Sequence, residues 1–526
     1  MQMFETLKPL LGEPGFTPDS LELRETVCVF ANQAYGELVA AGPADKAAAA
    51  AALEGYARGG RLAANRFLTA IVQGLRYAAT GEAEAMKASI RAALDEEAAD
   101  VGVAMNTLYQ IGRLAFTGEF GPEVLAETFD YETRHRHWLR LVALAERVAE
   151  GRLGGGPFSS NERVLVLIDQ FLQPPHAPTR DALEYGRLFQ DRGREVMIAS
   201  SCAYGQQLYS AVMPGTRCVV NGALSATTTL TFEGREYRYH QPASGRFNNQ
   251  TLIETLAAVE AFDPALVLTI GGQSLVGELL AQRRLVVQYP TFSGLPTTKA
   301  LRFFMWGPPT AEEQALMDRL GLGDRYLFSQ HPGFETPERT ASLTRAQFAI
   351  PDEAFVFAVV GMRLDIDVGD DFLELMREIR GRRPNAHFAF IGDFEGFQAR
   401  IGADPTLAGA ASHLGFHSDI IAALELCDAY VNPTRRGGGS AIVHAIVARL
   451  PALSVKFGDA YEAVRDWPQI ADYAALAEVA CALADRGETY GAYVALAKAN
   501  APALQGKAAV VDKLLAAYDA YAAAHG

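Results

Sequence analysis

The segment Asn432-Pro-Thr-Arg-Arg-Gly-Gly-Gly-Ser440 joins a short apolar run, Ala429-Tyr-Val-Asn432, to an apolar helical pattern over Ala441–Leu450. Gly437, Gly438 and Gly439 would let backbone N–H groups approach a ligand without interference from a Cβ, and Ser440 reads as the N-cap of the helix that follows. A helix start carries positive partial charge and free N–H donors, which is chemistry for an anion such as a diphosphate. Arg435 and Arg436 add formal charge, while Asn432, Ala441 and His444 lie within reach of the same loop. No Gly-Lys-Ser/Thr closes the loop, so it is not a Walker motif. A glycine triplet alone serves equally well as a flexible connector. What favours a ligand is its place after a buried strand, where open α/β sheets bind their ligands.

Two further basic positions follow apolar runs. Gly361-Met-Arg-Leu-Asp365 comes directly after Phe355–Val360, and there Arg363 could grip phosphate oxygens in a bidentate manner. Lys456 follows Ala452-Leu-Ser-Val455. Each alone reads as an ordinary surface residue; three basic positions after three strands predict one crevice. In an earlier part of the chain, Val164–Ile168 runs into Asp169-Gln-Phe-Leu-Gln-Pro-Pro-His-Ala-Pro-Thr179. Pro174, Pro175 and Pro178 would stiffen the loop around His176, whose imidazole could then act as a general base or simply cap the next helix. The other histidines lack metal-ligand spacing, although His331 in Gln330-His-Pro-Gly-Phe334 is the least ordinary of them. No Gly-x-Ser-x-Gly, His-Glu-x-x-His or Gly-x-Gly-x-x-Gly motif is present, which removes most support for hydrolase, zincin and dehydrogenase chemistry.

The elements that must position these residues change character along the chain. From about Leu21 to Arg152 apolar residues recur at helical spacing, as in Leu68, Ile71, Val72 and Leu75, and no tetratricopeptide period emerges. Gly151-Arg-Leu-Gly-Gly-Gly-Pro-Phe-Ser-Ser160 concentrates residues that break regular structure, so a domain boundary is expected there. A chain starting near Ser159 is expected to keep nucleotide binding. Beyond it, β-branched runs alternate with helical patterns, first over Val164–Tyr289 and again after Pro351, which predicts two parallel sheets covered on both faces. Thr228–Tyr239 alternates around Glu233-Gly234 and reads as a hairpin inserted into the first series. The Ala-rich tail from Tyr473 could pack on either half. The expected fold is α/β, two Rossmann-like domains preceded by an all-α domain, with segments 1–155, 156–340 and 341–526.

The chain has 526 residues, 49 % of them hydrophobic and 21 % charged, enough to bury more than one core. Its formal charge of −15 argues against nucleic acid as a partner. The cysteines at 28, 202, 218, 427 and 481 are scattered and never paired as Cys-x-x-Cys, which speaks against disulfides and zinc. No signal-peptide pattern and no long apolar run is present, so a cytoplasmic protein without a transmembrane segment is expected.

Over about Phe355–Trp467 the motifs resemble the donor half of GT-B glycosyltransferases. Gly-Met-Arg-Leu-Asp is similar to their donor-phosphate arginine segment. Leu414-Gly-Phe-His-Ser-Asp-Ile420, with Gly415, Phe416 and His417, is similar to the loop that cups the nucleotide base. Leu426–Pro433, Gly437–Ala445 and Leu450–Lys456 resemble the strand, diphosphate helix and following strand around the sugar nucleotide. Members of the large family-4 group usually carry two glutamates eight positions apart here, whereas this chain has Arg436 and His444, which leans the resemblance toward the family-41 side with its O-GlcNAc and bacterial protein glycosyltransferases. The resemblance implies transfer of a sugar from a nucleotide-diphosphate donor, UDP favoured over GDP, to a protein or glycan acceptor. No metal and no other cofactor is expected, because helix N-termini, arginine and lysine can neutralise the leaving diphosphate, and the helical segment set off by the linker is expected to serve acceptor recruitment or self-association. A sugar-nucleotide epimerase on the same fold and a non-catalytic scaffold remain the alternatives.

Overall fold

Eight helices come first: α1 (Gln2–Gly12), α2 (Leu21–Ala40), α3 (Pro43–Arg58), α4 (Arg66–Thr80), α5 (Ala83–Leu94), α6 (Val101–Thr117), α7 (Pro122–Thr128) and α8 (Tyr131–Val148). Local chemistry sets their starts. The side chains of Ser20, Asn65, Asp100 and Asp130 each accept a backbone N–H of the first turn, satisfying donors that have no partner inside the helix. The protein is seen in a computed structural model that describes residues 2–12, 18, 20–58, 65–153, 162–174, 176–204, 210–215, 220–225, 227–336 and 339–525. Most of the expected Gly/Pro/Ser linker, together with Pro175 and Cys218, lies outside the described residues. Cys28, Cys202, Cys427 and Cys481 are buried free thiols.

The first α/β half contains β1 (Arg163–Ile168), α9 (Ala177–Gln190), β2 (Glu195–Ser200), β3 (Thr229–Phe232), β4 (Arg235–His240), α10 (Asn249–Phe262), β5 (Leu266–Ile270), α11 (Leu275–Leu280), β6 (Leu285–Tyr289), β7 (Arg302–Met305), α12 (Ala311–Leu320) and β8 (Tyr326–Ser329). Its eight strands run in the order β3-β4-β2-β1-β5-β6-β7-β8. Among the described residues only the β3–β4 pair of this sheet is antiparallel. The expected hairpin exists, but it is no insertion: β4 pairs in parallel with β2 and extends the sheet at its edge. Phe303-Phe304-Met305 and Tyr326-Leu-Phe-Ser329 form two strands that the sequence reading passes over, because each is only four residues long.

The second half contains β9 (Phe355–Gly361), α13 (Leu364–Asp367), α14 (Asp370–Arg382), β10 (Ala386–Gly392), β11 (Ala411–Gly415), α15 (Ile420–Leu424), β12 (Ala429–Val431), α16 (Gly439–Val447), β13 (Ala452–Leu453), α17 (Gly458–Ala463), α18 (Tyr473–Ala484), α19 (Glu488–Leu504) and α20 (Lys507–His525). Its five strands run β11-β10-β9-β12-β13, all parallel. The last helix leaves this half: Val510, Val511, Leu514 and Tyr518 of α20 are buried in the core of the first sheet with Val166, Tyr185 and Tyr289. Lys507 anchors that crossing by donating to Asp181 Oδ1 at 2.6 Å and pairing with Glu184, both buried on α9.

One apolar core runs without a break from the helices into the first sheet, joining Phe67, Ile71, Trp138 and Leu141 to Leu165, Met197, Val267 and Leu279. Polar contacts cross the same boundary. Trp138 Nε1 donates to the buried Glu278 at 2.9 Å, and His135 Nε2 lies 2.9 Å from the Thr298 carbonyl. The helical segment and the first sheet therefore share one core, so glycine and proline at 151–160 mark where the chain turns and not where its core ends. A chain beginning at Glu162 should give little soluble protein and no cooperative unfolding transition, because the face that holds Leu165 and Met197 loses its cover. Soluble expression and thermal unfolding would check this; a soluble, cooperatively folding fragment would count against a shared core.

Candidate functional site

Strand order decides which loops meet. In the second sheet β9 has β10 on one side and β12 on the other, so the chain reverses its winding between β9 and β12. The loops leaving the carboxyl ends of those two strands must splay apart around a crevice, the usual ligand position in such sheets. They are the two loops singled out by sequence, Gly361–Arg363 after β9 and Asn432–Ser440 after β12. The first sheet reverses in the same way between β1 and β5, where the loop carrying Asp169 and His176 leaves β1.

Arg435 holds the two loops of the second half together. It is 8 % exposed; its Nε donates to Asn432 Oδ1 at 3.1 Å, Nη1 to Asp367 Oδ2 at 2.7 Å and Nη2 to the Val360 carbonyl at 2.7 Å. Asn432 is itself buried, accepting from the Tyr430 hydroxyl and donating to the Pro433 carbonyl. With its guanidinium engaged in this way, Arg435 serves the scaffold, and so does Asn432. Next to it Arg436 is exposed. Its carbonyl accepts the Asp459 N–H at 2.8 Å, and Asp459 Oδ1 accepts from both the backbone and the hydroxyl of Ser293, on the loop after β6. Burial pushes the Asp459 carboxyl up to about 6. The floor of the crevice is thus built by both halves.

The helix after the loop begins at Gly439, and Gly438 is its N-cap, in place of the expected Ser440. Gly438 has φ +97°, and a Cβ there would lie 2.7 Å from Asn432 Oδ1, so no other residue fits without shifting the scaffold. No side chain caps the helix. Ser440 and Ala441 are part of an open first turn, and Gly439 packs close to Trp306, 3.1 Å from where a Cβ would be. Across the crevice a Cβ on Gly437 would lie 3.8 Å from Arg363 Nη2 and 3.4 Å from Phe116 Cζ. The structure therefore brings Arg363 and the glycine loop together. Arg363 stacks on Phe116, 4.9 Å from the ring centroid, and lies 3.5 Å from Asp367.

The remaining predicted residues are placed less directly. His444 is 8 % exposed on α16, with Nε2 3.4 Å from the Glu335 carbonyl, and burial pushes its pKa down to about 4. It is a neutral buried histidine facing the segment between the halves. Lys456 is exposed, and its backbone N–H donates to the Ile470 carbonyl. At the end of β11 Gly415 has φ +74°, Phe416 is 59 % exposed and His417 Nε2 lies 3.0 Å from the Leu414 carbonyl. Phe416 is one of several large apolar side chains left in solvent at the carboxyl ends of the second sheet's strands, with Met362, Ile366 and Phe457; Phe116 joins them from α6. Apolar surface concentrated beside an anion-friendly loop suits a ligand with a flat aromatic part and a charged part.

In the first half His176 is the N-cap residue of α9 but makes no side-chain cap bond. Its Nδ1 lies 2.9 Å from Thr179 Oγ1, which accepts the Leu172 N–H. Burial lowers its pKa, so the imidazole is neutral at pH 7. Sequence reading missed Asp169, seven residues earlier: it is 2 % exposed, accepts from Ser201 Oγ at 2.7 Å, and burial pushes it up to about 7. Its signal was only its place, first after β1. Sequence also gave no hint of Phe116, Trp306 or Ser293, whose contribution depends on packing across 100 residues or more.

Among the described residues no cluster of His, Cys, Asp or Glu is arranged to hold a metal ion, and no helix is long and apolar enough to cross a membrane. No protein-family model matches the chain, and no curated protein matches it in sequence. Solved structures do. An O-GlcNAc transferase mutant from Thermobaculum terrenum is 15 % identical with a TM-score of 0.47, over 98 % of this chain and 96 % of that one. HepE from Anabaena, solved with UDP-glucose, is 14 % identical with a TM-score of 0.46, over 68 % of this chain and 99 % of that one. WaaG, a glycosyltransferase involved in lipopolysaccharide biosynthesis, is 14 % identical with a TM-score of 0.44, over 67 % and 98 %. The fold is α/β: two Rossmann-like halves, each a mostly parallel sheet that reverses its winding once near its centre, with a helical segment sharing the core of the first.

Proposed function

We propose that this chain is a glycosyltransferase that moves a sugar from a nucleotide-diphosphate donor, UDP favoured over GDP, to a protein or glycan acceptor. One observation carries the reading: an uncapped helix N-terminus stands opposite Arg363 at the reversal point of a parallel sheet. The leaving diphosphate would sit on the first turn of α16, neutralised by backbone N–H groups, Arg363 and Arg436 without a metal. The exposed Phe416 and its apolar neighbours would take the base. His176 would act from the first half as the base toward the acceptor. The division into 1–155, 156–340 and 341–526 is proposed as one of roles within a continuous structure, with acceptor recruitment or self-association on the outer face of the helical segment.

Ser440→Asp tests the diphosphate site. A carboxylate in the first turn favours the helix, so folding should be preserved, yet it opposes a bound diphosphate. UDP affinity should fall at least tenfold, about 1.4 kcal/mol. Calorimetry showing unchanged UDP and GDP affinity in the folded variant would remove the assignment.

A further inference from the structure

Helix α6 runs from the first half to the glycine loop of the second. Its start is fastened to the first half, where the Val101 N–H donates to Asn249 Oδ1 at 3.0 Å and the Asn249 N–H donates to Asp100 Oδ2 at 3.0 Å. In its middle Tyr109 stacks on Tyr204, on the segment after β2, with ring centroids 4.2 Å apart. In its last turn Phe116 meets the second half. The Arg363 guanidinium carbon lies over the Phe116 ring, 4.9 Å from its centroid, and Phe116 Cζ would be 3.4 Å from a Cβ on Gly437. Phe116 is 38 % exposed and does not belong to the core that Ile111 and Leu114 of the same helix help to form. The ring is thus left at the crevice, against one arginine and one glycine of the two loops.

Arg363 and Arg435 are held in opposite ways. Arg435 spends its donors on Asn432, Asp367 and the Val360 carbonyl. The Arg363 guanidinium makes no hydrogen bond to any described residue; Asp367 Oδ1 is 3.5 Å away, while Oδ2 of the same carboxylate takes Arg435 at 2.7 Å. An aromatic face attracts a cation through its quadrupole and offers no oxygen acceptor. Phe116 therefore keeps Arg363 beside Gly437 while leaving its N–H groups for a ligand. A guanidinium grips phosphate oxygens through those N–H groups, and one already held in place loses less freedom on binding.

We propose that Phe116 is a positioning residue for the donor diphosphate, supplied by the helical segment and acting through Arg363. The proposal rests on the donor reading above and extends it: the helical segment takes part in holding the nucleoside diphosphate by aiming the arginine that grips it.

The test titrates UDP by calorimetry into the full chain and into Phe116→Leu, Phe116→Tyr, Arg363→Gln and the double variant Phe116→Leu with Arg363→Gln, and follows thermal unfolding of each without ligand. Leucine keeps an apolar side chain on the helix but has no ring face, so UDP binding should weaken about fivefold, the scale of a partly exposed cation–π contact. Tyrosine should restore it. The melting temperature should hold, because Phe116 lies outside the core. With Arg363→Gln already present, Phe116→Leu should cost nothing further. Additive losses in the double variant would overturn the proposal, since the ring would then act on the ligand independently of Arg363. A loss of affinity that tracks a fall in melting temperature would overturn it as well, making Phe116 a structural residue. Full UDP affinity in Phe116→Leu beside a loss in Arg363→Gln would sink the proposal and leave the donor reading standing. Full affinity in Arg363→Gln, or no UDP binding by the unaltered chain, would defeat the donor reading and the proposal with it.

Discussion

Replacing His176 by alanine is expected to lower sugar transfer by a factor of about 10²–10⁴ while leaving UDP affinity nearly intact, the range typical of a lost general base. The imidazole leaves the carboxyl end of β1, at the reversal point of the first sheet. Thr179 Oγ1 fixes its Nδ1 at 2.9 Å, and that hydroxyl is in turn fixed by the Leu172 N–H. In the tautomer whose Nδ1–H donates to Thr179 Oγ1, Nε2 is left to accept the proton of an acceptor hydroxyl. Burial holds its pKa below the usual histidine value, so activity should fall only as the pH drops beneath that range. Asp169 is the competing base on the same loop, and its carboxyl is pushed up to about 7. If Asp169 does the work, the acid limb will lie near pH 7 and survive in His176→Ala, while Asp169→Asn abolishes turnover. UDP release from a UDP-hexose, measured across pH for both variants, separates the two. Loss of donor binding in His176→Ala would move the imidazole into the donor site.

Arg435→Met should cost stability before it costs chemistry. Arg435 and Asp367 have side chains only 6 % and 5 % exposed, and removing one partner of a buried pair typically costs about 3–5 kcal/mol, here offset in part because Arg363 stays 3.5 Å from Asp367. The same change removes one donor from the Val360 carbonyl and one from the Asn432 amide oxygen, which keeps the Tyr430 hydroxyl. The glycine loop then loses the tie that holds it against the β9 loop, and UDP binding should fall below detection. Arg435→Met combined with Asp367→Asn should recover much of the stability in urea unfolding while binding stays poor. A single variant of unchanged stability that lost only diphosphate affinity would instead make Arg435 a ligand contact.

These two adjacent arginines show how far the sequence could be read. Arg435 and Arg436 look alike beside three glycines, yet the first is enclosed and tied to a residue 68 positions away while the second faces solvent. Which one could meet a ligand depends on where Asp367 lands, and no local pattern contains that. Ser440 was a reasonable N-cap by residue type, but Gly438 took the place because only a left-handed residue fits against Asn432.

The sequence by itself determined the elements and the chemistry available at their ends. Runs such as Val164–Ile168 and Phe355–Val360 read as buried strands, and the glycine loop before an apolar run read as a helix start open to an anion or as a flexible connector. These signals act between neighbours a few residues apart. Tertiary structure decided strand order, and with it the reversal points that make the β9 and β12 loops face each other. It also decided that the helices share a core with the first sheet, that α20 returns to that sheet through Lys507 and Asp181, 326 residues apart, and that Phe116 arrives at the glycine loop. The reason is that burial is a property of surfaces meeting: an apolar stripe states that a helix must be covered, and any complementary face in the chain can cover it.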